Sequence, residues 1–225
     1  MPVIVDDRPP ETCPAAAIER WRQVPVAVAV DVSHAECQID RSIRPLCAPG
    51  TQPRLFGRAV TALCEPPDFG AVLYALDKIK PGDVLVIAAG GHTETAMIGE
   101  ILGGHLRRLG ACGLVCDGAI RDVAELAKWS DLPVFSRAIT PRGPTSADRG
   151  RVNSSVIVGG RLVSPGDLII GDDDGLASLD PKSIVKFIAD AEGKLAKEAE
   201  WQSSLAANRT VAETFQLGSP QGGER

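Results

Sequence analysis

The chain has 225 residues, 44% of them hydrophobic and 24% charged, the balance of a soluble globular enzyme with enough apolar side chains to form a core unaided. A formal net charge of −5 and a pI near 5.3 argue against nucleic-acid binding, which leaves a basic patch, and favour a small-molecule partner. No run approaches the roughly 18 uninterrupted apolar residues of a membrane helix, and MPVIVDDRPP lacks the basic and apolar regions of a signal peptide, so no membrane contact and a cytoplasmic location are expected.

Residues 1–14 carry four prolines and few apolar anchors, the pattern of an extended arm ordered, if at all, by a partner subunit. A single domain is expected over 15–206. Within it, Val24 to Val32 is an apolar run poor in helix formers, and the mixed segment SHAECQID follows. Arg54 to Leu63 reads as a strand entering the core. Phe69, Val72, Leu73 and Leu76 then define a helical face within Asp68–Lys78, and Pro81-Gly82-Asp83 turns the chain into a β-branched strand, Val84 to Ala89.

A glycine-rich loop is expected next, with Gly90-Gly91 leaving room for close backbone approach to a ligand. His92 in that loop is a candidate proton carrier, because imidazole titrates near neutral pH. Ile98, Ile101, Leu102, Leu106 and Leu109 recur at helical spacing, and Gly110 ends the helix. A start near Gly99 is preferred to one near Thr93, since an interior Gly99 would cost about 1 kcal/mol relative to Ala. Ala111 to Cys116 reads as a second strand and Asp117-Gly118 as a turn. Ile120, Val123, Ala124 and Ala127 open a further helix.

Pro133 to Ala138 is a further strand, followed by the rigid loop Thr140–Pro144, where Arg142 could meet a second carboxylate or serve only as a turn residue. A hairpin is expected around Gly159-Gly160, between Val152–Val158 and Leu162-Val163. Pro165-Gly166-Asp167 repeats the turn signature of Pro81-Gly82-Asp83, as similar turns rather than as a duplication. Asp172, Asp173 and Asp174 lack the spacing of a calcium loop and read as a solvated turn. Ala, Lys, Glu and Leu dominate Pro181–Ala206, a long helix with Ile184, Phe187, Ile188, Ala191 and Leu195 on one face. Residues 207–225 are expected to be a disordered tail. The six cysteines, at positions 13, 37, 47, 64, 112 and 116, form no Cys-x-x-Cys pair and read as reduced core thiols rather than a zinc site. In the second strand Cys112 and Cys116 would share a face.

Two strand-to-helix junctions thus lie close together. In a parallel sheet both fall at the carboxyl ends of the strands, where α/β sheets hold ligands. The N–H groups of Gly99, Glu100, Ile101 and Leu102 would face the loop side and hold a carboxylate. Arg121 is electrostatically misplaced at a helix N-terminus unless an anion lies in front of it, and its fork suits a carboxylate. Asp122 offers the hard oxygens that Mg²⁺ or Mn²⁺ takes, with Glu100 completing an outer shell; as a first-turn acid it would also simply suit the helix dipole.

An acidic residue, twenty intervening positions, then Arg-Asp: Glu100 and Arg121-Asp122 have this spacing. With IRPL at 43–46, GRAVTA at 57–62, PGDVLVI at 81–87, VFSRAITPRG at 134–143 and PGDLIIGDDDG at 165–175, the chain resembles the class II pyruvate aldolases of the 4-hydroxy-4-methyl-2-oxoglutarate aldolase type. These belong to the larger group named after the regulator of ribonuclease E activity (RraA-like). The resemblance covers roughly residues 25 to 180 and implies a layered β/β/α swivelling-type sandwich, assembled as a homotrimer or homohexamer with sites at subunit interfaces. It further implies that Gly99 to Leu102 and Arg121 hold a pyruvoyl group while Asp122 anchors Mg²⁺ or Mn²⁺ directly or through water. Catalytic roles then fall to Glu100, Arg121 and Asp122. The implied substrate is a 4-hydroxy-2-keto acid such as 4-hydroxy-4-methyl-2-oxoglutarate or 4-carboxy-4-hydroxy-2-oxoadipate, cleaved to pyruvate, with oxaloacetate as a side substrate.

The chain departs from the family at His34-Ala35, where relatives have Asp-Ala, so that Glu36 either replaces that acid or the surroundings of the site differ. It departs again at His92, where relatives more often have Asp. The competing reading is a non-catalytic regulator that binds a ribonuclease, and Asp122 discriminates, because such regulators tend to lack an acid there. A methyltransferase label also attached to the family finds no glycine fingerprint here.

Overall fold

The computed structural model describes residues 2–218. The chain enters through β1 (Ile4–Val5), α1 (Ala15–Arg20), a 3-10 turn at Trp21–Gln23, α2 (Val26–Val32) and β2 (Arg44–Pro45). Strands and helices then alternate: β3 (Leu55–Leu63), α3 (Gly70–Leu76), β4 (Asp83–Ile98), α4 (Glu100–Arg108), β5 (Gly113–Ile120), α5 (Val123–Leu126) and β6 (Val134–Ile139). After β7 (Arg151–Val152) come two hairpins, β8 (Val156–Val158) with β9 (Arg161–Val163) and β10 (Leu168–Asp172) with β11 (Gly175–Leu179). Two helices end the chain, α6 (Pro181–Ala206) and α7 (Val211–Phe215).

β3, β4, β5 and β6 lie side by side in chain order and pair in parallel. Each crossover between parallel neighbours is right-handed by the twist of the strands, so α3, α4 and α5 are all driven to one face. Their apolar side chains, Ala71, Val72, Ala75, Leu76, Leu106 and Leu126, meet Leu85, Ile87, Leu114 and Cys116 there. The period-2 alternation of β4 sends Val84, Val86 and Ala88 to the other face, where they pack against Ile169 of β10 and Leu176 of β11. Leu168, Ile170, Ala177 and Leu179 alternate away from that layer toward α2 and α6. The fold is therefore an α/β β/β/α sandwich in a single domain, with a further helical layer over β10 and β11.

Several local expectations need correction. Most of the Val24–Val32 run is helical as α2, since Val26 and Val28 are buried and Val30 and Val32 partly buried in the cluster shared with α6 and the β10–β11 hairpin, and packing outweighs the modest propensity cost of β-branching. The strand expected to end at Ala89 continues to Ile98, because β5 pairs with it as far as Ile98↔Ile120. Gly90 and Gly91, with φ of 61° and 78°, bulge the ladder rather than end it. Asp117-Gly118 is strand, not turn: both are buried in β5, and Asp117 accepts hydrogen bonds from Arg137 Nε at 2.6 Å and from Gly159 N–H at 2.7 Å. Cys112 precedes β5 and is half-buried, so the same-face pairing with buried Cys116 does not arise; all six cysteines are free thiols, but only Cys37, Cys64 and Cys116 are core residues, while Cys13, Cys47 and Cys112 are half-buried.

The N-terminal arm is ordered by its own chain, with Ile4 and Val5 pairing in parallel with Arg151 and Val152. The tail expected to be disordered from 207 instead forms α7, capped by a reciprocal Thr210–Glu213 box and docked through Phe215 on Trp201, ring centroids 4.8 Å apart. The rest of that expectation, from 219 onward, lies outside the described residues. No described helix is long and apolar enough to cross a membrane.

Candidate functional site

β4 and β5 end together, with Ile98 opposite Ile120 in the register, so the residues that follow each strand are neighbours. After Ile98 the chain passes through Gly99, the N-cap, into α4. After Ile120 it passes through Arg121 and Asp122 into α5, whose four residues are too few to contribute a helix dipole. Arg121 N–H donates to the Ile98 carbonyl at 3.1 Å, locking the two junctions. Asp122 then takes left-handed φ and ψ of 58° and 33°, an uncommon conformation for a non-glycine residue. The turn brings its carboxylate to the start of α4, where Oδ2 accepts the Glu100 N–H at 3.0 Å. Arg121 Nε lies 3.4 Å from the same oxygen.

Two glycines make this possible. A Cβ on Gly99 would stand 2.3 Å from Asp122 Oδ2 and 2.8 Å from Arg121 Cγ. Its φ of −150° suits any residue, so space alone demands glycine there. A Cβ on Gly143 would stand 2.5 Å from Arg121 Nη1. Gly143 belongs to the 140–144 loop, which is tied to β4 by the Ala96 N–H to Arg142 carbonyl bond of 2.9 Å. Sequence reasoning passed over Gly143, although it stood beside Arg142 in the quoted VFSRAITPRG block.

A cavity of about 220 Å³ opens beside these groups. Its lining includes Arg121, Asp122 and Gly99 together with Phe69 and Leu73 of α3, Met97, Ile101, Leu102 and Pro144. The expected site residues Gly99, Ile101, Leu102, Arg121 and Asp122 are thus brought together, and exposed Glu100 adjoins them. One detail differs: the Glu100 N–H is occupied by Asp122, leaving Ile101 and Leu102 as first-turn donors without a helical partner. Asp122 and Arg121 side chains are each 40% accessible, open to a ligand on the cavity side.

The donor set bears on the divalent cation that the resemblance implies. Among the described residues no group of three or more His, Cys, Asp or Glu side chains could hold a metal, which rules against a zinc-type site. A single carboxylate with one oxygen free and an open approach fits a mostly hydrated Mg²⁺ or Mn²⁺ ion, which needs only one or two protein carboxylates.

The other candidates lie elsewhere. His34 and Glu36 sit in the exposed turn after α2, next to Cys37, whose carbonyl accepts from Ser178 of β11; neither lines the cavity. His92 sits in the bulged part of β4 opposite Gly118, its Nε2 buried without a partner. Arg142 contributes its carbonyl to the loop, and its exposed side chain does not line the cavity. Asp172, at the end of β10, accepts the N–H groups of Val26 and Asp174, and Asp173 accepts that of Gly50, so these acids tie distant backbone to the turn rather than being simply solvated as expected.

A layered α/β domain with a carboxylate, a guanidinium and a helix N-terminus converging on one cavity has the form of a small-anion site. Residues 22–177 match the family profile described as RraA-like, Aldolase/RraA, and the chain belongs to the RraA-like family. It is 30% identical over 191 residues to a Halalkalibacterium halodurans protein named "Putative 4-hydroxy-4-methyl-2-oxoglutarate aldolase", covering 85% of this chain and 89% of that protein. The RNA-processing inhibitor RraA of Thermus thermophilis is similar at 27% identity and a TM-score of 0.61, over 70% of this chain and 93% of that one. An unusual member of the RNase ES inhibitor RraA family from Streptomyces coelicolor shares the fold, with a TM-score of 0.72 at 24% identity over 88% of this chain and all of that one.

Proposed function

We propose that the chain is a divalent-metal-dependent lyase that releases pyruvate from a 4-hydroxy-2-keto acid. The observation that carries this reading is Asp122 held by its left-handed backbone against the first turn of α4, with Arg121 beside it at the cavity mouth. The relative named as an aldolase supports the same reaction class.

Arg121 binds the substrate carboxylate through its fork, and the N–H groups of Ile101 and Leu102 orient the acid and its 2-keto oxygen at the positive end of α4. Asp122 is the residue that would hold Mg²⁺ or Mn²⁺, directly or through that ion's waters. A cation held there supplies Lewis-acid polarisation of the 2-keto group. As the C3–C4 bond breaks, its electron pair enters the C2–C3 unit and negative charge grows on the keto oxygen, where the helix end and Arg121 stabilise it. The proton of the C4 hydroxyl leaves as C4 becomes a carbonyl, and Glu100, exposed beside the cavity, is the base in reach through solvent. Protonation at C3 gives pyruvate. Oxaloacetate, losing CO₂, generates the same enolate and is a side substrate. The reading extends to a homotrimer or homohexamer, measurable by light scattering.

Pyruvate release followed with lactate dehydrogenase tests the reading, on 4-hydroxy-2-keto acids and oxaloacetate, with Asp122→Ala as control for contaminating enzyme and free Mg²⁺. Turnover is expected above that control, abolished by chelation and restored by Mg²⁺ or Mn²⁺. Absence of pyruvate above control on every substrate would refute it and leave the ribonuclease-regulator reading, which the Thermus relative's name favours.

A further inference from the structure

Two segments that line the cavity, far apart in the chain, are joined by one buried carboxylate. Phe69 and Leu73 come from the N-cap and first turn of α3, and Pro144 from the loop that follows β6. The same loop carries Gly143, so close to Arg121 that a Cβ there would stand 2.5 Å from Nη1. The upstream end of the loop is tied to the sheet, with Thr140 N–H donating to the Ile120 carbonyl at 3.1 Å and Ala96 N–H to the Arg142 carbonyl at 2.9 Å. Its downstream end is tied to the start of α3. Thr145 N–H donates to the Pro67 carbonyl and Phe69 N–H to the Ser146 carbonyl, each at 3.1 Å. Asp68, fully buried, completes this seam: Oδ2 accepts the Asp148 N–H at 2.9 Å, and Oδ1 accepts the Arg149 N–H at 3.0 Å and the Gly70 N–H at 2.8 Å. Burial by itself would raise this carboxyl, but bonds from the Ser146 side chain and the three N–H groups outweigh it and hold the group well below the usual carboxylate range. Gly70 lets the segments close, since a Cβ there would stand 2.6 Å from the Ala147 carbonyl oxygen. All these contacts lie within one chain and hold whatever a neighbouring subunit adds to the site.

Arg121 needs a rigid backing. Its side chain is 40% accessible and turns about several bonds, so a fork aimed at a carboxylate loses its orientation unless something fixed lies behind it. We propose that Asp68 is a positioning residue for the lyase site: acting through the 142–149 loop, it holds Gly143 against Arg121 and keeps Pro144 and Phe69 as walls of one cavity. This rests on the lyase reading and adds to it a residue that does not itself line the cavity.

Asp68→Asn keeps the shape of the side chain but turns an NH₂ group toward backbone donors in place of an acceptor oxygen. Tm is expected to fall, so binding and turnover are measured at a temperature where circular dichroism shows the variant folded. With Mg²⁺ in excess, calorimetry reads the binding of oxalate, a planar dianion shaped like pyruvate enolate. Its Kd is expected to rise, and kcat/KM for pyruvate release to fall, each at least about tenfold. The double variant Asp68→Asn/Arg121→Lys separates positioning from plain structure. If Asp68 works through Arg121, the change at 68 costs less than about threefold once the fork is gone. Ser146→Ala removes only the side-chain bond to the carboxylate and repeats the cycle, at a loss of about threefold, should Asp68→Asn not fold. Losses that multiply in the double variant, or parental Kd and kcat/KM in folded Asp68→Asn, would overturn the inference and leave the lyase reading standing. No pyruvate from the parent protein would refute the lyase reading, and oxalate affinity would then decide whether Asp68 orients Arg121 toward an anion. No oxalate binding by the parent would overturn the inference as well.

Discussion

Gly99→Ala adds one methyl group at the point where β4, α4 and Asp122 meet. The new Cβ would lie 2.3 Å from Asp122 Oδ2, whereas ordinary contacts begin at 3.4 Å, so the carboxylate or α4 must retreat by about 1 Å. Because φ at residue 99 is −150°, alanine meets no backbone penalty and the whole cost is steric. Breaking the Glu100 N–H bond to the half-exposed carboxylate costs about 1 kcal/mol, which lowers Tm by roughly 2–4 °C in a chain of this size. The fold should survive. Activity is far more sensitive, since a 1 Å misplacement of a catalytic group costs about 100-fold, and kcat/KM for pyruvate release is expected to fall by that factor. Scanning calorimetry and the coupled assay on the same preparation separate the two effects. A variant with parental kcat/KM and parental Tm would show that Asp122 is not held where the reaction occurs. Gly143→Ala is the milder companion: its Cβ would press on Arg121 Nη1 at 2.5 Å, the far end of a side chain that can swing aside, and about a tenfold loss is expected.

Two further perturbations reach other parts of the argument. Arg121→Lys keeps the charge but loses the fork, so kcat/KM should fall at least about tenfold, equivalent to about 1.4 kcal/mol, with Tm unchanged; unaltered kinetics would assign the arginine to another ligand. Asp167 is 4% accessible, and burial, reinforced by Asp180 and only partly offset by the Ser164 N–H, pushes its carboxyl up from the ordinary 3.8 to about 6. A folded value above the unfolded one means the stabilising contribution is complete below about pH 4 and is lost as pH rises through 6, a change on the order of 2–3 kcal/mol. Asp167→Asn should therefore raise stability to urea at pH 8 and leave it unchanged at pH 4. An equal gain at both values would mean the carboxyl is not the titrating group.

Local signals were legible wherever local energetics decide. The last long helix runs from Pro181 to Ala206 as its composition and period foretold, opened by Asp180, whose side chain accepts the Ser183 N–H at 2.7 Å. Gly99 caps α4 where the sequence placed its start, directly after β4 ends at Ile98, although Gly103 and Gly104 lie inside the same helix. The Gly159-Gly160 hairpin forms with both glycines at positive φ. The adjacency of the Glu100 and Arg121-Asp122 junctions was also readable, since parallel strands joined by short right-handed crossovers bring successive carboxyl ends together.

Other features depended on residues far apart in the chain. Asp117-Gly118 carries the composition of a turn, yet it is strand because Arg137 and Gly159, 20 and 42 positions away, satisfy its carboxylate. The valines of α2 follow no helical propensity; the faces of α6 and the β10–β11 hairpin select their conformation. Asp122's claim on the Glu100 N–H and the close approach of Gly143 to the Arg121 guanidinium arise from where side chains end in space. The polarity of the cavity wall is likewise assembled from α3, α4 and the 140–144 loop. Periodicity and turn chemistry, which act over a few residues, thus determined the elements and the order of the site's parts. Packing and electrostatics between distant segments decided which donors are free and that residue 99 must be glycine.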